Sequence, residues 1–297
     1  MKGLAGRKKK EKMFLACCVA PALIGFCIFI LYPAIQVFRM SLYKWSGGTG
    51  KKTFIGLDNF TTLFANKSFQ LAFRNTVFLM VFVTIVTMAF SLFFAAVISR
   101  GKLKEGNFYR VVLFFPNVLS IVVIGIIFKN LFNPVTGIVN SALKGLGMVS
   151  PPNWFGDSRY VLWVIALAMI WQAVGYYMVM YIAGMDGISP ELYEVSDLEG
   201  ANRLQEFFKI TLPLIWPTVR TTLVFFILST MNMSFQFVTV MTNGEPQGAS
   251  EVLLSYVNLQ AFSNANFGYA MSVSVVVFLF SFVLAILAQV LTARKDK

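Results

Sequence analysis

The chain has 297 residues, of which 57% are hydrophobic and 13% are charged, against roughly 25% charged residues in soluble domains. Apolar stretches of about 20 residues recur along it, the length that crosses a hydrocarbon core of about 30 Å. This composition excludes an ordinary soluble domain and predicts an all-α, polytopic membrane protein. The net charge of +12 does not indicate nucleic-acid binding, because most Lys and Arg lie between apolar stretches, where membrane orientation and anionic lipid account for them.

Six membrane spans are predicted in chain order, each long enough to cross a bilayer at about 1.5 Å per residue. They cover Met13–Val37, Asn75–Ser99, Phe108–Leu131, Tyr160–Ala183, Leu214–Met241 and Phe267–Thr292. The chain then divides into a basic tail (1–12), a first span with its outer loop (13–74), a core of five spans (75–292) and a second tail (293–297).

The distribution of basic residues predicts the orientation. With both termini in the cytoplasm, 15 Lys and Arg lie in inner segments and nine in outer segments, with Arg220 near the inner end of span five. The basic N terminus and the segment 243–266, which has no Lys or Arg, favour the same orientation. We therefore expect a multi-pass protein of the plasma membrane with both termini cytoplasmic.

Cysteine and histidine limit the chemistry available to the chain. Cys17, Cys18 and Cys27 all lie in the first apolar stretch, which is typical of packing and gives neither a disulfide framework nor metal-ligand spacing. There is no histidine, so a His-based triad, metal site or proton relay is excluded. We expect no metal ion or other cofactor in this chain.

The stretch Gly47–Thr53 superficially resembles a phosphate-binding loop. The motif requires G-x-x-x-x-G-K-[ST], but the residue five positions before Gly50 is Trp45. A flexible Gly- and Lys-rich outer loop is the better interpretation.

The segment 184–213, between spans four and five, concentrates the acidic residues. Six of the 13 acids of the chain lie between its Asp186 and Pro213: Asp186, Glu191, Glu194, Asp197, Glu199 and Glu206. Ser189 is a favoured cap for a helix that starts at Pro190, and Gly200 suits the left-handed residue that ends a helix. Asn202, with Gln205 three residues later, predicts the cap of a second helix. The loop is therefore predicted to be a cytoplasmic helix–turn–helix.

The first helix of this loop carries two parallel rows of side chains. Leu192, Val195 and Leu198 form an apolar row, and Glu191, Glu194 and Asp197 form an acidic row. An acidic row is repelled by the negative inner leaflet, so helices that merely lie on the membrane are disfavoured. A basic partner protein, with Leu204, Phe207 and Phe208 entering a cleft on it, is the favoured interpretation.

The segment ELYEVSDLEGANRLQEFFKITLP resembles the EAA loop of permease subunits in ATP-binding cassette importers. Six residues match the family pattern at the right spacing: Glu194, Gly200, Ala201, Ile210, Leu212 and Pro213. Val195 and Ser196 stand where the family has two alanines. The segments Phe54–Phe64, Arg74–Thr76, Thr242–Gly248 and Asn266–Ser272 are also similar to the oligosaccharide-type permeases, which include maltose and glycerol-3-phosphate permeases.

The resemblance implies a set of partners and of coupling residues. The partners are a second homologous permease, a cytoplasmic ATPase dimer and an extracytoplasmic solute-binding protein, with a carbohydrate as substrate and membrane lipid around the spans. In the family, the EAA loop enters a groove on the ATPase and transmits its closure to the spans. The implied ATPase-coupling residues are Glu194, Asp197, Gly200, Ala201, Leu204, Phe207 and Phe208.

Polar residues inside spans turn away from lipid and are candidates for the solute pathway. They are Asn117 in span three, Gln172 and Tyr176 in span four, and Asn232 and Gln236 in span five. Gln172 and Tyr176 are four residues apart, as are Asn232 and Gln236, so each pair shares a helix face. Interhelical hydrogen bonding without solute contact is an alternative role for each residue.

Two other functions compete with the importer permease. A self-sufficient channel or secondary carrier is disfavoured because no span has an acid in its middle, and ion-coupled carriers use buried ionisable groups. A membrane-embedded enzyme is disfavoured because the chain has no histidine and no buried acid pair. The carried solute stays open between a glycerol phosphodiester and a neutral di- to oligosaccharide.

Overall fold

A computed structural model describes residues 2–101 and 105–292, which are mostly helical with very little strand. Lys102, Lys104 and the predicted tail 293–297, like Met1, lie outside the described residues. The helices are α1 (Lys2–Phe26), α2 (Tyr32–Met40), α3 (Asp58–Ala65), α4 (Lys67–Arg100), α5 (Gly106–Val118), α6 (Ile121–Leu131), α7 (Ile138–Gly145), α8 (Val161–Asp186), α9 (Pro190–Leu198), α10 (Arg203–Glu206), α11 (Leu212–Met241), α12 (Leu253–Asn258) and α13 (Phe267–Thr292). Short π-helical turns cover Cys27–Leu31, Phe207–Thr211 and Leu259–Ser263, and strands β1 (Tyr43–Lys44) and β2 (Thr53–Phe54) pair antiparallel.

Five of the six predicted spans are confirmed as long apolar helices. In the described part of the chain, the helical runs long and apolar enough to cross a membrane are Met13–Met40, Lys67–Arg100, Val161–Asp186, Arg203–Met241 and Phe267–Leu287. The second begins eight residues before the predicted Asn75, because the Asn66 side chain caps it by accepting from the amides of Ser68 (2.8 Å) and Phe69 (3.3 Å). The predicted segment boundary at 74/75 consequently falls inside α4.

The segment predicted as span three, Phe108–Leu131, forms two apolar helices in place of one. Helices α5 and α6 meet at an angle of 99°, with Leu119 and Ser120 in extended conformations between them. Pro116 cannot donate a helical hydrogen bond near the end of α5, and the Ser120 hydroxyl caps α6 by accepting from the Val123 amide at 3.3 Å. Span three is therefore a bent pair of helices.

The described residues divide into two compact units, one within 1–65 and 257–276 and the other within 66–256 and 277–292. In the second unit, α8 is the central helix and packs against α4, α5 and α11. Ile165, Met169 and Tyr181 on α8 are fully buried. The Ser91 hydroxyl of α4 donates to the Val174 carbonyl at 2.8 Å, which ties the two helices together where both are buried.

In the first unit, a short hairpin follows α2. The Asn59 amide on α3 donates to the carbonyls of Ser41 (2.7 Å) and Tyr43 (3.1 Å), and thereby holds the start of the hairpin. The stretch Gly47–Thr53 forms the connection between β1 and β2, with Gly47 and Gly48 at positive φ. The positive φ angles account for Gly47 and Gly48 without a bound phosphate.

Candidate functional site: the helical loop between α8 and α11

The loop after α8 has the predicted helix–turn–helix form, with two differences. Helix α9 starts at Pro190 and is followed by Gly200 at φ +77°, as the sequence predicts. Ser189 occupies the capping position, but its side chain makes no capping hydrogen bond. The predicted second cap is confirmed, since the Asn202 side chain accepts from the Gln205 amide and the Gln205 side chain accepts from the Asn202 amide, both at 2.9 Å.

The second helix of the loop does not stop before span five. Helix α10 continues through the π-helical turn Phe207–Thr211 into α11. Proline inside a helix cannot donate the usual backbone hydrogen bond, and the π-helical turn lies directly before the turn that contains Pro213. The chain from Arg203 to Met241 is therefore one helical run that joins the loop to span five without a break.

One face of α9 is packed against the rest of the chain. Tyr193 and Ser196 are buried. The Tyr193 hydroxyl lies 3.1 Å from the Thr211 hydroxyl, and the Ser196 hydroxyl donates to the Tyr193 carbonyl at 2.9 Å. These contacts fix which side of α9 faces away from the protein.

Two of the six acids are paired within the chain, and neither belongs to the acidic row of α9. Glu206 is buried and accepts from Arg100 Nε at 3.0 Å. Asp186 accepts from the Ser99 hydroxyl at 3.1 Å and lies 3.7 Å from Arg110. Both arginines belong to other helices, so local sequence spacing could not identify these pairs.

The opposite face of α9 is exposed and has no partner of its own. The acids Glu191, Glu194, Asp197 and Glu199 are exposed, and none forms an ion pair with another described residue. The predicted apolar row is also exposed: Leu192 (46%), Val195 (53%) and Leu198 (88%). This mixed acidic and apolar face is called the docking face below.

The remaining predicted coupling residues lie around the turn and on the following helix. Leu204 and Phe208 are exposed, at 69% and 61%. Phe207 is half-buried beside the core, with its ring 5.1 Å from that of Phe208. Ala201 is half-buried next to the exposed Gly200. The loop therefore exposes Leu204 and Phe208 while Phe207 points toward the protein interior.

The predicted pathway residues occupy different environments. Gln172 is buried, and its Oε1 atom has no hydrogen-bond partner among the described residues. Tyr176, one turn later, is 43% exposed. Because α4, α5 and α11 surround α8, only a narrow stripe of that helix stays exposed, and Tyr176 lies on it while Gln172 does not.

The other three pathway residues lie on α5 and α11. Asn117 is half-buried, two residues before the break between α5 and α6. Asn232 and Gln236 are both exposed on α11. Gln236 lines a groove of about 320 Å³, with Ile121 and Val122 of α6 on its other side. The break in span three, which the sequence prediction missed, positions the start of α6 along this groove.

Comparison with known proteins places this architecture in a family. Residues 93–297 match the family described as binding-protein-dependent transport system inner membrane component. The chain is 31% identical over 288 residues to the diacetylchitobiose uptake system permease protein NgcF of Streptomyces coelicolor, covering 91% of this chain and 81% of that protein. It is 33% identical over 277 residues to the probable ABC transporter permease protein YurN of Bacillus subtilis, covering 91% and 92%.

The fold is also similar to that of a solved structure. A chain of a bacterial ABC transporter involved in the import of the acidic polysaccharide alginate superposes with a TM-score of 0.86 at 23% identity, covering 99% of both chains. The family resemblance predicted from the loop sequence is confirmed by these matches. The chain therefore belongs to the family of inner-membrane components of binding-protein-dependent transport systems.

Proposed function

We propose that this protein is one permease subunit of an ATP-driven importer for a carbohydrate, in which the loop 184–213 docks on a cytoplasmic ATPase. The docking face of α9 carries the proposal. It presents four acids without ion-pair partners among the described residues, next to exposed leucine and valine side chains. ATP hydrolysis is assigned to the partner chain.

Physical chemistry favours a protein as the occupant of this face. Carboxylates near an anionic leaflet are repelled. Exposed apolar side chains, in contrast, stabilise a complex by about 25 cal/mol for each Å² of their surface that a partner protein buries. A groove with basic residues and an apolar floor satisfies both requirements. The Gly200 turn and the exposed Leu204 and Phe208 extend the same surface.

The solute pathway is proposed to lie along α5, α8 and α11. The five polar residues are Asn117, Gln172, Tyr176, Asn232 and Gln236. The exposed positions of Tyr176, Asn232 and Gln236 support contact with solute or with a second permease, and the unpaired Oε1 of Gln172 supports an acceptor role when the helices rearrange. A second homologous permease would supply the other half of the pathway.

An oligosaccharide is the proposed substrate class, because the similar protein NgcF is named as a diacetylchitobiose permease. We place both termini and the loop 184–213 in the cytoplasm and the segment 242–266 outside, where an extracytoplasmic solute-binding protein would deliver the sugar. The protein lies in the plasma membrane, its basic residues serve orientation and lipid contact, and no nucleic acid is involved.

Co-purification and reconstitution test this function. The tagged chain is expressed with its genomic neighbours, purified, and placed in proteoliposomes with internal ATP and external binding protein. We expect a second permease and an ATPase to co-purify, and sugar uptake to require both ATP and the binding protein. A lone oligomer that passes solute without an ATPase would instead establish the channel or carrier function.

A further inference from the structure

A single arginine at the end of α4 contacts each part of the loop between α8 and α11. The guanidinium carbon of Arg100 lies 3.4 Å from the centre of the Tyr193 ring on α9. Its Nε and Nη2 atoms both donate to Glu206 Oε1 on α10, at 3.0 and 2.5 Å. Its carbonyl oxygen accepts from Arg203 Nη1 at 2.6 Å. We call these four residues the Arg100 cluster.

Within the cluster, Glu206 and Tyr193 are shielded from water, Arg100 is partly exposed and Arg203 is exposed. The Glu206 side chain is 8% exposed and the Arg100 side chain 34%, and Tyr193 is buried beneath the guanidinium. An exposed ion pair holds two side chains only loosely. A charge-assisted bond in such surroundings is shorter and more strongly directed, so this cluster restrains the loop to one orientation.

Stability alone does not account for a buried ion pair at this position. Replacing such a pair by apolar residues of similar volume is often neutral or stabilising, because desolvation offsets the attraction. What the pair supplies is geometry. A planar guanidinium can stack on a ring while its edge donates to a carboxylate, and a lysine ammonium cannot do both in that way.

The connectivity of the loop shows what this geometry achieves. The backbone joins the loop only to α8 at one end and to α11 at the other. Tyr193 is further held by Thr211, which is already part of the helical run into α11. Within the described residues, the Arg100 cluster adds a side-chain link to α4, a helix 34 residues long that packs along α8.

We propose that Arg100 is a positioning residue for energy coupling, which makes α4 move with the loop when the ATPase displaces it. The inference rests on the proposed function of the docking face. In this arrangement three helices, α4, α8 and α11, respond together to a displacement of α9. Without the cluster, α4 would have no side-chain link to α9 or α10 among the described residues, and would keep its packing against neighbouring helices and the hydrogen bonds of Ser91 and Ser99 to α8.

The test compares Arg100→Lys, Tyr193→Leu and Glu206→Gln with the unmodified chain in the complete reconstituted transporter. Arg110→Lys is the matched control, because its partner Asp186 lies 3.7 Å away and both side chains are more exposed. Three quantities are measured: the amount of assembled complex, the ATPase rate with and without sugar-loaded binding protein, and the sugar taken up per ATP hydrolysed.

We expect each cluster variant to assemble in normal amounts and to lose roughly threefold to thirtyfold in uptake per ATP, the span of effects seen when a coupling contact is removed. Arg110→Lys should retain the normal ratio. Since Arg100 and Glu206 act through each other, the double variant Arg100→Lys, Glu206→Gln should lose no more than the worse single variant.

Two results would overturn the inference. One is a normal uptake per ATP in Arg100→Lys. The other is a loss of assembled complex that fully accounts for the loss of uptake, which would make the cluster a folding element only. Failure of the proposed function is recognised separately, because the unmodified complex would then lack an ATPase or show no ATP-dependent uptake.

Discussion

Glu194 is the residue on which the family resemblance and the exposed surface agree. It matches the glutamate of the family loop and lies on the docking face, without an ion-pair partner among the described residues. We predict that Glu194→Lys weakens ATPase binding roughly tenfold, as expected for reversing a charge at the centre of an interface. Membrane insertion should be unchanged.

Quantitative pull-down of the ATPase at fixed permease concentration measures this effect. Glu105→Lys, at an exposed acid in front of α5, serves as the control and should bind normally. Normal ATPase binding and normal uptake in Glu194→Lys would show that this carboxylate has no coupling role.

Glu251 is an acid outside the spans whose environment predicts a pH dependence. It is buried, and its Oε2 atom packs so closely against Gly244 that a side chain at that position would collide with it. Burial raises the pKa of the carboxyl, the hydrogen bond with Ser255 opposes the rise, and the nearby Glu245 adds to it. Because the folded pKa exceeds the unfolded value, the stability contributed by the protonated form is complete at acidic pH and is lost as pH rises through the folded pKa.

We therefore expect Glu251→Gln to raise the melting temperature of the detergent-purified protein by a few degrees at neutral pH and to flatten its dependence on pH. Thermal unfolding followed between acidic and neutral pH measures both effects. Glu191→Gln, at an exposed acid, is the control. A variant that keeps the pH profile of the unmodified protein would contradict the assignment.

At the scale of elements, the contact between α5 and α8 depends on Gly175. A Cβ added at Gly175 would run into the backbone of Leu113 and Phe114. Overpacking of a close helix contact costs about 1–3 kcal/mol, so Gly175→Ala should lower the melting temperature measurably. Gly145→Ala on α7, where an added Cβ meets nothing within 4 Å, should leave it almost unchanged. Equal melting temperatures for the two variants would contradict this packing.

Tyr176, exposed on α8, and Gln236, which lines the groove between α6 and α11, carry the prediction about solute. In the double variant Tyr176→Ala, Gln236→Ala, two side chains able to hydrogen-bond a sugar are removed. At about 0.5–1.5 kcal/mol each, their loss should reduce uptake roughly tenfold. The measurement is initial uptake rate at equal amounts of assembled transporter.

Thr239→Val is the matched control for that experiment. Thr239 lines the same groove, but its hydroxyl already donates to the Phe235 carbonyl at 2.8 Å. The variant should transport normally. Unchanged uptake in the Tyr176, Gln236 double variant would assign both side chains to contacts between helices.

At the scale of the whole molecule, the distribution of basic residues predicts which ends of the spans face the cytoplasm. A background without Cys17, Cys18 and Cys27 allows single cysteines to be placed at Glu199 and Gln247, both exposed. A membrane-impermeant maleimide should label position 247 in intact cells and position 199 only after permeabilisation. The reverse pattern would invert the proposed orientation and remove the docking face from the cytoplasm.

Much of this architecture is determined by local features of the sequence. Five spans follow from apolar length, because every backbone polar group inside lipid has to be satisfied within a helix. The turn at Gly200 and the reciprocal cap at Asn202 depend on neighbouring residues alone, so they could be predicted. The break after Pro116 also had a local signal, in the proline and the capping Ser120, which apolar length alone obscured.

The sequence by itself thus determined a multi-pass helical membrane protein with an acidic helix–turn–helix between two of its spans. Only the tertiary structure decided which acids are paired, since Arg100 and Glu206 are 106 positions apart and meet through the packing of separate helices. It also decided that Tyr176 is exposed while Gln172, one turn away, is buried. The physical reason is that burial and ion pairing depend on which helices surround a residue, and helix periodicity carries no information about those neighbours.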